Sequence, residues 1–350
     1  MSRRTSAPLA AVILAGISLT PAGSLAAGAS ALPAPAAAAA SPATSSPAAP
    51  APTFCTASGR FTLAVHGGYV GEAHPDWPDT AVRELTRRIL EHGRERLAAG
   101  ASALDVVVES IVAFEDSGQT DSGKGSFQNL AGFTETDASV MVGSTGRSGA
   151  VAAMQRLKNP ILAARLVMER TPHVLFVGPA GEDTLVGLGA QALPDPKSYY
   201  RPVAEPEADK NKGHGTVGAV ALDRCGVLAA GTSTGGTYGK LPGRVGDSPI
   251  IGASTFANEQ VALSSTGAGE FFIKRAATRD IATRVAYLHT PLKQAADYVI
   301  RDLIGTADHS RGAIIAISRD GQIVFSSTGY GLLHGYVTEK QAPTVAVKVE

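Results

Sequence analysis

A threonine that directly follows a glycine stands where a polar segment gives way to an apolar one. Thr216 follows Gly215 and precedes the run Val217–Leu222, which predicts a strand. If the Gly215–Thr216 peptide bond is cut, Thr216 carries both a hydroxyl and a free α-amine, whose unperturbed pKa of about 7.7–8.0 lets it act as a base near neutral pH. A hydroxyl beside its own amine is one form of activated nucleophile. The plainer interpretation is a loop that enters a strand.

A second group of polar residues follows closely along the chain. Thr234 lies at the end of the next apolar run, which a hairpin would place beside Thr216. Arg244 and Asp247 then stand in a loop rich in glycine and proline. Arginine binds a carboxylate through two parallel hydrogen bonds and aspartate pairs with an ammonium, so the two suit the head group of an α-amino acid. The alternative is a surface salt bridge, which contributes about 0–1 kcal/mol.

Two other glycine-rich stretches resemble motifs of different enzyme classes. Residues 118–124 nearly match a phosphate-binding P-loop, but Gly125 replaces the Ser or Thr of that motif and the stretch follows a predicted helix rather than a strand. Residues 231–235 match the G-x-S-x-G of serine hydrolases, a motif that requires a helix immediately after it. Glycines and a proline occur throughout residues 236–243, so no helix is expected there and we reject both interpretations.

The composition argues against several function classes. The chain has 350 residues, a formal net charge of zero and 44% hydrophobic residues, which is enough for a large buried core. A balanced charge without a basic stripe argues against nucleic acid or an anionic membrane as a partner. The histidines and cysteines show no metal-ligand spacing, so no catalytic metal is expected. Cys55 and Cys225 form either a disulfide or two unrelated thiols.

The N-terminal segment is typical of an exported protein. Arg3 and Arg4 precede a short apolar run at residues 8–19, and small-residue cleavage patterns follow by residue 31. The run is shorter than the ~20 residues of a membrane helix. We therefore predict a signal peptide over residues 1–31, export to the periplasm or the cell exterior, and no membrane segment in the mature form. Residues 32–55, rich in Pro, Ala and Ser, predict a disordered linker.

Apolar periodicity predicts an α+β chain in which helices and strands each come in consecutive pairs. Helices are predicted over residues 80–97, 103–114, 160–168, 182–193, 270–288 and 291–303. Strands are predicted over residues 61–65, 136–143, 149–154, 173–177, 217–222, 227–230, 250–253, 261–264, 313–318, 322–326 and 344–349. Ser102 is expected to cap the second helix, with Asp105 in a capping-box-like position. This order predicts helix layers packed on sheet layers rather than a doubly wound βαβ array.

Longer strings occur in a fixed order along the chain. They are His66-Gly67-Gly68, Ser102-Ala103-Leu104-Asp105, Asn159-Pro160, Gly215-Thr216-Val217-Gly218, Ser233-Thr234-Gly235-Gly236, Leu241-Pro242-Gly243-Arg244-Val245-Gly246-Asp247 and Ser265-Thr266-Gly267-Ala268-Gly269-Glu270. Together they resemble the plant-type asparaginase / isoaspartyl peptidase family of N-terminal-nucleophile threonine hydrolases, from about residue 61 to the end of the chain. The resemblance implies an α+β fold, a four-layer αββα sandwich formed by residues 56–350 as one domain, and a dimer of αβ units.

The resemblance also implies how the nucleophile arises. Thr216 would attack the carbonyl of Gly215 and cut the chain into an α subunit of residues 56–215 and a β subunit of residues 216–350. The freed amine would then activate the Thr216 hydroxyl, and Thr234 would hydrogen-bond near it.

For the substrate, a small molecule or a dipeptide, the resemblance implies a clamp and an oxyanion hole. Arg244 would hold the α-carboxylate and Asp247 the α-ammonium. The Thr266 side chain and the Gly267 N–H would stabilise the oxyanion, where loss of a donor costs about 10²–10³ in rate. The implied activity is hydrolysis of β-aspartyl amides, either isoaspartyl dipeptides, L-asparagine or both.

The chain departs from the family pattern in two places. Asp121 stands where the family commonly has an asparagine near the nucleophile, and Val142 where it usually has an acidic residue. Asp121 is therefore a supporting residue that is expected to alter the ionisation of the amine or the rate of processing. Family members often bind a structural sodium or potassium ion through loop carbonyls, which here would lie around residues 109–119.

Two other functions are compatible with parts of this pattern. A glycosylasparaginase-like enzyme would share the nucleophile and differ in pocket size. A secreted binding protein on an inactivated scaffold would have no need of all six residues Thr216, Thr234, Arg244, Asp247, Thr266 and Gly267, so their joint presence argues against it.

Overall fold

A computed structural model of the chain describes residues 59–70, 80–200, 215–329 and 331–349, with only the backbone at residues 69 and 70. The predicted signal peptide, the linker at residues 32–55 and Cys55 lie outside the described residues, as do residues 201–214 before the predicted cleavage point. The described part is a mixed α/β structure. Cys225 takes part in a disulfide bond.

The strands are distributed along the whole described part of the chain. They are β1 (Thr62–Val70), β2 (Thr136–Val142), β3 (Ser148–Met154), β4 (Leu175–Val177), β5 (Val217–Leu222), β6 (Leu228–Thr234), β7 (Phe256–Ala257), β8 (Val261–Gly267), β9 (Gly312–Ser318), β10 (Ile323–Ser327), β11 (Gly331–Thr338) and β12 (Thr344–Ala346).

The helices occur in two groups, one before β5 and one between β8 and β9. They are α1 (Thr80–Ala98), α2 (Ala103–Ser117), α3 (Pro160–Arg170), α4 (Gly178–Gly187), α5 (Pro196–Tyr199), α6 (Gly269–Arg275), α7 (Ala277–Leu288) and α8 (Leu292–Asp297). A 3₁₀ turn covers Gly123–Gly125, and a π-helical segment, Tyr298–Ala307, continues α8. Among the described residues, none of the helices has the length and apolar character that crossing a membrane requires.

The strands form two sheets of unequal size. The larger has the order β12-β11-β1-β5-β6-β2-β3-β4 and the smaller has the order β10-β9-β8-β7. Among the described pairs of strands, only β3–β4 is parallel. Strands β5 and β6 form the hairpin expected from the sequence, in which Val217 pairs with Ser233.

Both faces of the larger sheet are buried, and alternation along its strands explains how. In β1, Leu63 and Val65 join a core formed with the first helix group, whereas Ala64 joins a second core with β8, β9 and the later helices. Successive side chains of β5 alternate in the same way, with Ala219 in the first core and Val220 in the second. A strand buried on both faces reads as a continuous apolar run, which is the pattern seen in the sequence.

Several predicted boundaries are confirmed. Helix α1 begins at Thr80 as expected, and the Ser102 hydroxyl accepts a hydrogen bond from the Asp105 N–H at 3.1 Å at the start of α2. Strands β2, β3 and β9 and the β9–β10 hairpin also lie where the apolar runs predict them.

Other local predictions are wrong. The first strand does not end at the glycines that follow His66 but continues to Val70, with an irregularity between His66 and Gly68, because β11 pairs with it along its length. Strand β11 was not predicted at all. Residues 250–253 form turns around Gly252, whose φ is +92°, rather than a strand.

Three of the predicted helices differ from the observed ones in their bounds or their continuity. Helix α4 begins four residues earlier than the predicted helix over 182–193 and ends at Gly187. The predicted helix over 270–288 is two helices, because Ala276 adopts a left-handed conformation with φ of 46°. The predicted helix over 291–303 is α8 followed by the π-helical segment.

The fold predicts a large effect of adding one methyl group at Gly218. A Cβ at Gly218 would lie 2.0 Å from Ser264 Oγ and 2.3 Å from His66 Nε2, so Gly218→Ala is expected to lower the free energy of unfolding by about 1–3 kcal/mol through overpacking. Gly187→Ala is the matched control, since nothing lies within 4 Å of the added carbon at the end of α4. Urea unfolding of both variants measures the difference, and equal stability would contradict this packing.

Candidate active site

Thr216 lies at the start of β5, where the hairpin brings it beside the end of β6. Its Oγ1 donates a hydrogen bond to Thr234 Oγ1 at 3.1 Å, and Thr216 is only 7% exposed. The N–H of Gly236 donates to the same Thr234 oxygen at 2.9 Å. The hairpin therefore places Thr216 and Thr234 together, as the sequence predicted, and a backbone donor fixes the Thr234 hydroxyl.

Strands β6 and β8 belong to different sheets but run in the same direction at this point. Thr232 Oγ1 lies 2.7 Å from Ser264 Oγ. Two residues earlier on each strand, Ala230 and Ala262 stand at one level, because their partners in β2 and β7 contact each other. Each step of two residues along β6 is thus matched by a step of two along β8.

Extended by one further step, this register leads us to infer that Thr266 is level with Thr234, which the hairpin places beside Thr216. Thr266 is 1% exposed, and its hydroxyl has no hydrogen-bond partner among the described residues. A buried hydroxyl without a partner retains its capacity to donate. Gly267, the next residue, has φ of +147°, and an added Cβ would lie 2.4 Å from the Arg311 carbonyl oxygen, so only glycine fits.

The backbone of the first strand closes over the residue before Thr216. Gly68 has φ of +108°, and a Cβ there would lie 2.3 Å from the Gly215 carbonyl oxygen. The Gly215 carbonyl, which the resemblance identifies as the point of self-cleavage, is therefore held against bare glycine backbone.

Arg244 and Asp247 converge on one point at the beginning of α6. A Cβ on Gly269 would lie 2.8 Å from Asp247 Oδ1 and 3.1 Å from Arg244 Nη2, so both polar groups border the same glycine. Arg244 also forms an ion pair with Glu270, with Nη2 and Oε1 3.0 Å apart. Because the Glu270 side chain is 55% exposed, this ion pair contributes little to stability.

Asp247 differs from Arg244 in its degree of burial. It is 4% exposed, and burial raises the pKa of its carboxyl to about 7, against the opposing effects of its own backbone N–H and of Arg244. The Ser265 hydroxyl is 3.4 Å from Asp247 Oδ2. A carboxyl that titrates near neutrality and faces an arginine can accept an ammonium group and become fully ionised when it does.

Asp121 lies beneath the hairpin in a cluster of buried ionisable groups with Asp137 and Lys240. Asp121 Oδ1 accepts a hydrogen bond from the Phe127 N–H at 3.1 Å. Asp121 Oδ2 and Asp137 Oδ2 both lack a hydrogen-bond partner among the described residues. Burial raises the pKa of Asp121 to about 8 and also raises the pKa of Asp137, while Lys240 lowers both. The Asp121 carbonyl accepts from Gly235 N–H at 3.0 Å, one residue after Thr234.

Sequence reasoning missed Glu115 and Lys240. Glu115 Oε1 accepts from Ser233 Oγ at 2.7 Å and from Ile161 N–H at 3.1 Å, and burial raises its pKa to about 8. Glu115 lies four residues after Ile111, on the apolar face of α2, and this spacing could have predicted that its side chain is buried. Lys240 Nζ donates to the Glu135 carbonyl at 2.8 Å; nothing in its local sequence predicts its burial.

The ion implied by the resemblance would be bound by backbone carbonyls rather than by side chains, so clusters of side chains are a separate matter. The described part of the chain contains no group of three or more His, Cys, Asp and Glu side chains able to hold a metal ion. Most of residues 109–119 belong to α2, whose interior carbonyls accept helical hydrogen bonds. This restricts the sodium or potassium ion implied by the resemblance to carbonyls at the end of that helix, and the ion stays a prediction.

Comparison with known proteins agrees with this arrangement. The sequence profile of the family described as Asparaginase matches residues 59–201 and 191–347. The chain belongs to the Asparaginase family. It is 38% identical over 306 residues to an isoaspartyl peptidase of Salmonella typhimurium, which covers 81% of this chain and 97% of that protein.

Other relatives carry related names. An isoaspartyl peptidase of Escherichia coli is 36% identical over 311 residues, covering 83% of this chain and 96% of that protein. A plant-type L-asparaginase of Pyrobaculum calidifontis is 36% identical over 294 residues, covering 79% and 96%. The resemblance drawn from the sequence motifs is confirmed.

The buried carboxyl at Asp121 gives this Asparaginase family member a testable pH dependence. The pKa of this carboxyl is about 8 in the folded protein and about 3.9 in the unfolded chain. The free energy of unfolding is therefore highest below pH 4, falls as the pH rises above 4 because only the unfolded chain releases the proton, and stops falling once the pH has passed 8. Asp121→Asn is expected to remove up to about 1.4 kcal/mol per pH unit from the decline in unfolding free energy between pH 5 and 7.5.

Urea unfolding across that pH range measures the slope. Asp183→Asn, at a carboxylate that is 75% exposed, is the matched control and should leave the slope unchanged. An Asp121→Asn profile parallel to that of the unchanged protein would contradict the burial of a protonated carboxyl.

Proposed function

We propose that this Asparaginase family member is a threonine amidohydrolase that cleaves β-aspartyl amide bonds in isoaspartyl dipeptides, L-asparagine or both, releasing L-aspartate. The observation that carries the proposal is the convergence of Arg244 and Asp247 at Gly269, three residues after Thr266. A cation and a carboxyl at this spacing suit the carboxylate and ammonium of one aspartyl head group. The names of the relatives support the same chemistry.

The nucleophile would be made by the chain itself. The Thr216 oxygen adds to the Gly215 carbonyl carbon, the peptide nitrogen leaves with a proton, and the resulting ester is hydrolysed by water. The products are a carboxylate on Gly215 and a free amine on Thr216. Support comes from the Thr216–Thr234 hydrogen bond and from the packing of Gly68 on the Gly215 carbonyl.

The catalytic cycle would use the same oxygen. The Thr216 amine takes the hydroxyl proton as the oxygen attacks the β-carbonyl of the aspartyl group, and the leaving amine receives that proton. The Thr266 hydroxyl and the Gly267 N–H stabilise the oxyanion. Water then hydrolyses the β-aspartyl ester, which returns Thr216 and releases aspartate.

The remaining expectations are proposals of the same kind. The two buried faces of the larger sheet support a helix–sheet–sheet–helix order, the four-layer αββα sandwich. We also propose export through the signal peptide and a dimer of αβ units. A glycosylasparagine substrate and a binding protein are not favoured, since the relatives named above are isoaspartyl peptidases or an L-asparaginase.

The proposed self-cleavage predicts two fragments on a denaturing gel. The smaller should begin Thr216-Val217-Gly218 on N-terminal sequencing. Thr216→Ala should leave one intact and inactive chain, because it removes the attacking oxygen, while Thr216→Ser should still be cut. Hydrolysis of β-aspartyl-leucine by the Thr216→Ala variant at an unchanged rate would refute the mechanism.

The substrate clamp predicts a binding defect when Arg244 is lost. Arg244→Ala is expected to raise KM for β-aspartyl-leucine about 10- to 100-fold, the range expected for a charge-assisted pair of hydrogen bonds. Arg165→Ala is the control. It removes an arginine of α3 that forms ion pairs with Asp105 and Glu169, and it should leave KM unchanged. Steady-state rates decide the matter, and equal KM values for the two variants would contradict the clamp.

A further inference from the structure

The two fragments that self-cleavage would produce are interleaved in the larger sheet. A cut between residues 215 and 216 assigns β1 to β4 to one fragment and β5, β6, β11 and β12 to the other. Strand β1 then lies between β11 and β5, two strands of the other fragment, and β2 pairs with β6. These pairings are noncovalent, so the cut removes the peptide bond that had joined the two halves.

Cys225 lies in an ordered turn between β5 and β6, in the fragment that follows the cut. Asp223, which is 3% exposed, holds this turn. Its Oδ1 accepts hydrogen bonds from the N–H groups of Cys225 at 2.9 Å and Val227 at 3.0 Å. Its Oδ2 accepts from the Ala103 N–H at 2.9 Å, which fixes the turn against the start of α2. The backbone of Cys225 is therefore held in one place.

The sequence leaves one possible partner for Cys225 within the same chain. Cys225 takes part in a disulfide bond, and the whole chain has two cysteines. The other is Cys55, which lies four residues before Gly59, where the described structure begins. Cys55 precedes the expected cut and Cys225 follows it, so a bond between them would connect the two fragments.

The register of β1 against β5 brings the two cysteines toward the same end of the sheet. Thr62 pairs with Leu222 in an antiparallel arrangement. The chain before Thr62 and the chain after Leu222 therefore leave the sheet at one end, and Cys225 is three residues after Leu222. Four residues of extended chain span up to about 14 Å, and bonded cysteines have Cα atoms about 4.4–6.8 Å apart. A reach of this length from Gly59 suits a bond to the turn directly beyond β5.

We propose that a disulfide bond between Cys55 and Cys225 joins the two fragments covalently after self-cleavage. The pairing does not rest on the proposed function, whereas its role as a link between fragments does. The bond forms when the two thiols pass two electrons and two protons to an acceptor disulfide, which becomes two thiols. Thiol–disulfide oxidoreductases supply such acceptors in oxidising compartments, which the proposed export would reach.

The bond and the cut lie at opposite ends of β5. Thr216 directly precedes this strand, whose six residues at about 3.3 Å each separate it from the turn that holds Cys225. Loss of the bond should therefore leave the nucleophile in place, and kcat of folded Cys225→Ser on β-aspartyl-leucine should stay within about twofold of the unchanged protein. What the bond supplies is a high effective concentration of each fragment for the other.

Denaturing gels with and without reductant test the link directly. Without reductant the unchanged protein should run as one band that contains both fragments, and with reductant it should run as two. Cys225→Ser and Cys55→Ser should each give two bands in both lanes, because either change removes the bond. Thr216→Ala is the matched control, since its uncut chain should give one band in both lanes.

A peptide map identifies the bonded residues whether or not the chain is cut. Trypsin cuts after lysine and arginine, so it releases one peptide that contains Cys55 and ends at Arg60 and another that runs from Cys225 to Lys240. Without reductant the two should be recovered as one species that separates on reduction. Alkylation of the denatured, unreduced protein should modify neither cysteine.

Urea unfolding tests the consequence of the link. In the cut protein, Cys225→Ser should lower the urea midpoint by an amount that grows as the protein is diluted, because two separate fragments part on unfolding. In the uncut Thr216→Ala chain the same change only opens a loop, so its shift should be smaller and independent of concentration. Equal shifts in the two backgrounds would contradict the linking role.

The outcomes separate this proposal from the proposed function. Two bands from the unchanged protein without reductant would overturn the link. So would a species of twice the mass of one chain, which would place the bond between two copies. A single band in both lanes would refute self-cleavage, and with it the proposed function and the linking role. The joined peptide would in that case still assign the bond to Cys55 and Cys225.

Discussion

The close approach of the two sheets at Gly218 is the contact on which the site depends. Ser264 from the smaller sheet and His66 from the neighbouring strand occupy the space that a Cβ on Gly218 would fill. The same contact fixes the register of β8 against β6, from which we infer that Thr266 is level with Thr234 and Thr216. A bulkier residue at Gly218 would meet Ser264 of the smaller sheet and would push the two sheets apart.

Burial of ionisable groups is the second constraint. Glu115, Asp121 and Asp247 all have raised pKa values, for which desolvation is the largest cause. Such groups reduce stability near neutral pH, and clusters of them are found mainly at functional sites. Here they lie around the β5–β6 hairpin and the loop that follows it. The fold therefore carries an electrostatic cost in the region that holds the nucleophile and the substrate clamp.

Much of this arrangement could be predicted from the chain. The Leu241–Asp247 string and the Gly-Thr junction at Thr216 identified the family, and short apolar runs predicted most strands and the hairpin that pairs Thr216 with Thr234. Local signals failed where a distant segment decided the outcome. Strand β1 passes through its glycines because β11 pairs with it, and Ala276 divides a helix that periodicity alone reads as continuous.

The sequence by itself determined the residue types, the family and the position of the threonine that follows a glycine, because these depend on identity and local spacing. Only the tertiary structure decided that Asp121 and Asp137 share a buried cluster with Lys240, that Ser264 of the smaller sheet meets Thr232 of the larger one, and that Arg244 and Asp247 border the same glycine, Gly269. These groups come from segments far apart in the chain. Their proximity follows from sheet register and from packing between sheets, which no local pattern of side chains encodes.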